Sequence, residues 1–197
     1  MSLYPTVTLG RWPQEDSEQP GVTPVSWLVL ETRGERSLLL SERVLSSHRF
    51  HAASAVIWRD SEIRQYLRYL EAAMLSSEER ARIAVTEVIT SDGRHDDDAI
   101  PLGGQPIVTE DRLFLLSLAE VERYFPTDAA RLAAPTRYAE TKGCYRNPLS
   151  GGSGWWLRDR GFSVAYASDV LSDGALCPSG EEVWEEGGVR PAMWVKR

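Results

Sequence analysis

Segments with strand character sit at both ends of this 197-residue chain and segments with helix character sit in its middle. A repeated strand–helix–strand sheet does not produce that order, so the pattern argues for an α+β fold. Residues 6–9, "TVTL", alternate and precede Gly10 and a Trp-Pro pair, which reads as a short strand ending in a turn. Two apolar runs, 27–31 and 37–40, flank Arg33-Gly34-Glu35, the pattern of a β-hairpin. In the middle, Ile63, Tyr66, Leu67 and Leu70 share one helical face behind Asp60 or Ser61 as cap. Ser76 with Glu79, and Ser117 with Glu120, each fit a capping box, and the second helix stops at Pro126. Strands are expected near 83–90 and 112–116, a short helix near 136–142, and loops over 46–57 and 91–110. From residue 155 onward the chain reads as short strands and turns: "WWLRD", "SVAYASDVL" and a closing "VRPAMWVK". The expectation is a single domain over 1–197, with strands and helices in 6–126 and a loop-rich part in 136–197.

That closing strand carries Arg190 and Pro191 side by side in an apolar context. Proline lacks the N–H that a sheet ladder needs, so Pro191 belongs at an edge or a bulge. The guanidinium fork of Arg190 suits loop carbonyls together with a carboxylate such as Asp159 or Asp173. The pair therefore reads as a structural clasp.

Composition narrows the function classes. A formal net charge of -7 repels phosphate backbones, so nucleic-acid binding is not expected. No run approaches the ~20 apolar residues of a membrane span, and the N-terminus lacks the basic and apolar regions of a secretory signal. These features point to a soluble, cytoplasmic protein. Cys144 and Cys177 have neither CxxC spacing nor a nearby histidine pair, which disfavours zinc. GxSxG, Walker A, GxGxxG and HExxH motifs do not occur.

The ordered series "VTLGRWPQ", "SWLVLE", "LLLSERVL", "DSEIRQYL", "RLFLLS", "WWLRDRG", "SDG" and "GVRPAMW" resembles an uncharacterised bacterial domain family whose members end in a GVRPALW-type motif. That family is similar to the C-type-lectin-like fold of formylglycine-generating enzymes and of variable proteins of diversity-generating retroelements. The resemblance implies a mixed or antiparallel sheet with two main helices. It also implies paired N- and C-terminal strands and a loop-rich C-terminal region that displays the ligand-contacting surface. Asp159-Arg160 departs from the Ser-Pro usual after Trp-Trp-Leu-Arg in such members.

The reading that follows is a non-catalytic domain that binds a protein or a small ligand through the loops between 145 and 187, in one version a retroelement-diversified variable protein. Trp156, Arg158, Arg160, Tyr166 and Trp184 are the contact candidates, since an exposed Trp beside an Arg suits a binding hot spot. The two adjacent tryptophans face opposite sides of a strand, which places one in the core and the other at the surface. The alternative is that both are core and Arg158 pairs with an acid. His95, Asp96 and Asp98 are weak candidates for calcium, without the spacing of an EF-hand. His48 and His51 lack a third ligand. No cofactor is expected otherwise, and the competing class is an oxidase of the formylglycine-generating type using Cys144 or Cys177 with copper.

Overall fold

A computed structural model describes residues 3–15, 21–90 and 106–197. In chain order its strands are β1 (Thr6–Pro13), β2 (Val22–Arg33), β3 (Arg36–Ser41), β4 (Ser46–Arg49), β5 (Thr86–Thr90), β6 (Ile107–Asp111), β7 (Leu113–Phe114), β8 (Trp155–Arg160), β9 (Tyr166–Val170), β10 (Leu176–Glu182), β11 (Glu186–Val189) and β12 (Ala192–Lys196). The helices are α1 (Glu62–Met74), α2 (Ser77–Arg82), α3 (Leu118–Tyr124), α4 (Asp128–Arg131) and α5 (Arg137–Thr141). One sheet has the order β1-β2-β3-β12-β7 and is antiparallel; the other has the order β10-β9-β8-β11-β4, with β8 and β11 parallel. A β5-β6 hairpin stands apart. The architecture is α+β.

Local chemistry accounts for most boundaries. The β2–β3 turn needs only Gly34 and Glu35, with Gly34 in the left-handed region at φ +56°. Ser61 caps α1, which buries Ile63, Leu67, Leu70 and Met74, each contributing about 1.5–3 kcal/mol. Tyr66 lies half-buried beside them, its hydroxyl 2.8 Å from Ser46 Oγ. Both capping boxes form, Ser76 with Glu79 and Ser117 with Glu120.

Four expectations are corrected. β1 does not end at Gly10: the strand bulges there, with φ +70°, and resumes through Pro13. The 46–57 segment contains β4, whose polar "SSHR" pairs with all four residues of β11. The 91–110 segment contains the start of β6, missed because its inward residues are polar. Thr109 and Asp111 accept from Trp58 Nε1 at 3.1 and 3.3 Å, and Asp111 Oδ1 accepts from Arg64 Nε at 2.6 Å. Finally, the terminal strands do not pair with each other. β12 lies between β3 and β7, because β3 is buried on both faces and needs a neighbour on each side.

The closing segment is also two strands rather than one. β11 belongs to one sheet and β12 to the other, and Arg190-Pro191 is the corner between them. Residues 42–45 turn the same corner between β3 and β4. The β3–β12 register places Ser41 opposite Pro191, and Ser41 N donates to Pro191 O at 2.9 Å. The return bond to Ser41 O would come from an N–H that proline lacks. Arg190 Nε supplies it instead, at 3.0 Å, and Nη2 reaches Glu42 O at 3.4 Å.

Candidate functional site

The six residues of β8, "WWLRDR", are all buried, because β8 is the central strand of its sheet. This corrects the expectation that alternation leaves one tryptophan at the surface. Trp155 Nε1 donates to Arg131 O at 3.3 Å and its ring lies 4.8 Å from the Arg190 guanidinium. Trp156 Nε1 donates to His48 O at 2.9 Å, and its ring meets Phe50 edge-on. Arg158 ion-pairs with Glu120 at 2.5 Å and donates to the carbonyls of Leu115 and Ile89, tying β8 to α3 and β5. Arg160 is buried as well.

The carboxylate partners expected for Arg190 are engaged elsewhere. Asp159 Oδ2 accepts from Leu118 N at 2.6 Å, at the start of α3, and Asp173 Oδ1 accepts from Ala175 N within its own turn. Arg190 is buried between the rings of Trp155 and Phe125. Desolvation lowers its pKa to about 9, which leaves it charged at pH 7.

Against β8 lies a cavity of about 410 Å³, within the size range of small-ligand sites. Tyr145 and Leu171 are its accessible apolar lining, whereas Trp155 and Trp156, which also border it, are 1% and 2% exposed; β9 contributes Asp169, and the β10–β11 segment contributes Glu181, Glu182, Glu185 and Glu186. Glycine makes the close approach possible: a Cβ at Gly187 would lie 2.4 Å from the Trp156 ring. Glu182 accepts from Tyr166 OH at 3.3 Å and Glu186 from Ser47 Oγ at 3.2 Å. Among the described residues, none of the five carboxylates is ion-paired with a Lys or Arg. Asp169 is 5% exposed, and its Oδ1 has no hydrogen-bond partner.

Burial pushes the Asp169 carboxyl up to about 7; Glu181 adds repulsion, and a hydrogen bond from Cys177 opposes the shift. Between the ordinary value of 3.8 and about 7 the folded chain retains a proton that the unfolded chain has released. Stability therefore falls as pH rises through that window, by up to about 1.4 kcal/mol per pH unit, and levels off above it. Asp169→Asn is expected to raise the melting temperature at pH 8 by several degrees and to leave it nearly unchanged at pH 4. Melting curves at the two pH values check this, and an equal shift at both would remove the charge explanation.

Of the sequence-based candidates, Trp156 borders this cavity, and Tyr166 holds one of its carboxylates. Arg158 and Arg160 do not line it, and Trp184 stands 39% exposed on the β10–β11 turn. Cys144 lines it too, with its thiol 3.0 Å from Ser153 Oγ; burial pushes its pKa up, which favours the unreactive thiol over the thiolate. Cys177 is half-buried, 3.5 Å from Ser179 Oγ. His48 stacks on Tyr66, whereas His51 lies 3.8 Å from Glu62, so the two histidines do not converge. His95, Asp96 and Asp98 lie outside the described residues. Among those described, no group of three or more His, Cys, Asp or Glu residues is arranged to hold a metal ion. No described helix is long and apolar enough to cross a membrane.

Sequence reasoning missed the carboxylates. Its available signal was "EEVWEE", four acids around a tryptophan with no basic residue among them. No curated protein and no solved structure matches the chain. The family model for a domain of unknown function (DUF6273) matches residues 34–197, and the chain belongs to that family.

Proposed function

We propose that this chain is a non-catalytic ligand-binding or protein-interaction domain whose site is the cavity between β8, β9 and the β10–β11 turn. The observation that carries the reading is Asp169, which lines the cavity and whose buried Oδ1 has no hydrogen-bond partner. A buried acceptor without a donor costs about 1–3 kcal/mol, and a ligand N–H or O–H would relieve that cost. The lectin-like resemblance supports the same region, since such folds present ligands on C-terminal loops. In the retroelement version, copies of the gene differ mainly after residue 145. The raised pKa of Cys144 weighs against the oxidase reading.

The test is a thermal-shift screen of a mixed metabolite and short-peptide library, with each binder mapped on the indole N–H signals of the seven tryptophans. Binders are expected to move the Trp155 and Trp156 signals. A library without binders, or binders that move only other tryptophans, would overturn the proposal.

A further inference from the structure

Resting on that ligand-binding reading, we propose that the cavity takes an organic cation: an alkylammonium or guanidinium group that donates to Asp169, with its carbon stem against Tyr145 and Leu171. The contrast with the rest of the chain carries this. Asp111 is paired with Arg64, Glu31 with Arg33 and Arg123, Glu140 with Arg137 and Arg146, and Glu120 with Arg158. Only around this cavity do five carboxylates gather without a Lys or Arg partner among the described residues. Four of them stand on the rim segment, and the fifth is buried with a free acceptor.

Such a field repels anions and concentrates cations. A divalent metal is the lesser fit. Calcium takes six to eight oxygens at about 2.3–2.6 Å, whereas these carboxylates do not converge into a metal-holding group. An ammonium or guanidinium needs no such convergence. It donates through two or three N–H bonds to one carboxylate, is stabilised at longer range by the others, and gains from aromatic faces. The apolar lining by Tyr145 and Leu171 suits a stem of several methylenes.

The cation has two sources, a free amine or a basic side chain on a peptide, and the probes separate them. Cadaverine and agmatine represent the first; N-acetyl-lysine methylamide and N-acetyl-arginine methylamide the second. N-acetyl-norleucine methylamide is the uncharged control, and calcium chloride tests the metal. Each is titrated into the full chain while the Trp155 and Trp156 indole signals are followed. The expected result is saturable movement with the cations, none with norleucine, and affinity that falls with added salt. In Asp169→Asn the affinity falls about tenfold or more, and in Glu181→Gln a smaller, severalfold loss is expected. Because Asp169→Asn relieves a buried charge, it should fold at least as well as the wild type, so lost binding is not lost structure.

Stronger binding by the free amines assigns a small molecule, and stronger binding by the blocked amino acids assigns a peptide side chain. Equal binding of norleucine and lysine, unchanged affinity in Asp169→Asn, or a response to calcium alone would overturn the cation proposal. If these probes fail while uncharged or anionic compounds move the same two signals, the cation assignment falls and the ligand-binding site stands. If nothing of any class moves them, both fall.

Discussion

Arg190→Ala is expected to lower stability by about 3–5 kcal/mol, the range of large-to-small changes in a packed core. The loss has two parts. Removing the side chain empties the space between Trp155 and Phe125, and it leaves the buried carbonyl of Ser41 without a donor. The orphaned Ser41 carbonyl costs about 1–3 kcal/mol, offset in part because a desolvated guanidinium no longer has to be accommodated. At roughly 2–4 °C per kcal/mol for a chain of this size, the melting temperature should drop by about 10 °C.

Two companion variants separate packing from hydrogen bonding. Arg190→Met restores most of the volume and none of the donors, and should recover about half of the loss. Pro191→Ala supplies the missing backbone N–H opposite Ser41 O. In the wild type it should be neutral or slightly destabilising, since a proline that fits restricts the unfolded chain. In the Arg190→Ala background it should recover about 1 kcal/mol, the worth of one hydrogen bond. Denaturant melts of the four proteins give the coupling directly. If Pro191→Ala had the same effect in both backgrounds, Arg190 would not be standing in for the proline's missing donor.

Gly188→Ala should cost about 3 kcal/mol, at the upper end of the usual overpacking range. Its added methyl would sit 2.2 Å from Gly154 O and 2.8 Å from Val44 Cγ1. The first obstacle is backbone, so β11 must move away from the neighbouring β8 rather than a side chain swinging aside. That movement would also shift Gly187 and the wall carrying Glu185 and Glu186, so ligand binding should weaken with stability. Gly21→Ala is the control: among the described residues, its chain neighbours aside, no atom lies within 4 Å of the point its added methyl would occupy, and a change within about 0.5 kcal/mol is expected. Equal melting temperatures for the two variants would show that β11 and β8 are less closely held than the geometry states.

The candidate site was legible only in part. The aromatic and Gly-rich residues between 145 and 187, together with the lectin-like resemblance, singled out that stretch as the expected contact surface, and the cavity draws most of its lining from it. It named Trp156, which borders the cavity, but also Arg158 and Arg160, which do not line it. An arginine on a strand looks the same in sequence whether it meets water or a neighbouring carbonyl. Glu120, which pairs with Arg158, is 38 residues away in the chain, and no periodicity announces it. Asp169 escaped notice for the related reason that an isolated acid in "YASDVL" becomes unusual only once it is buried.

What the sequence determined by itself were the features whose physics is local. Ser76 and Ser117 meet their own glutamates three residues on, Gly34 permits a tight turn, and Ile63, Leu67 and Leu70 line one face of a helix, all within a few residues of chain. Only the tertiary structure decided which strands are neighbours, why polar β4 and β6 are strands at all, and where β11 gives way to β12. Those outcomes depend on donors and acceptors far apart in sequence. The corner at Arg190-Pro191 joins the two levels: the missing N–H is written in the proline, but Ser41 O, which needs a substitute donor, lies 149 residues away from the arginine that supplies it.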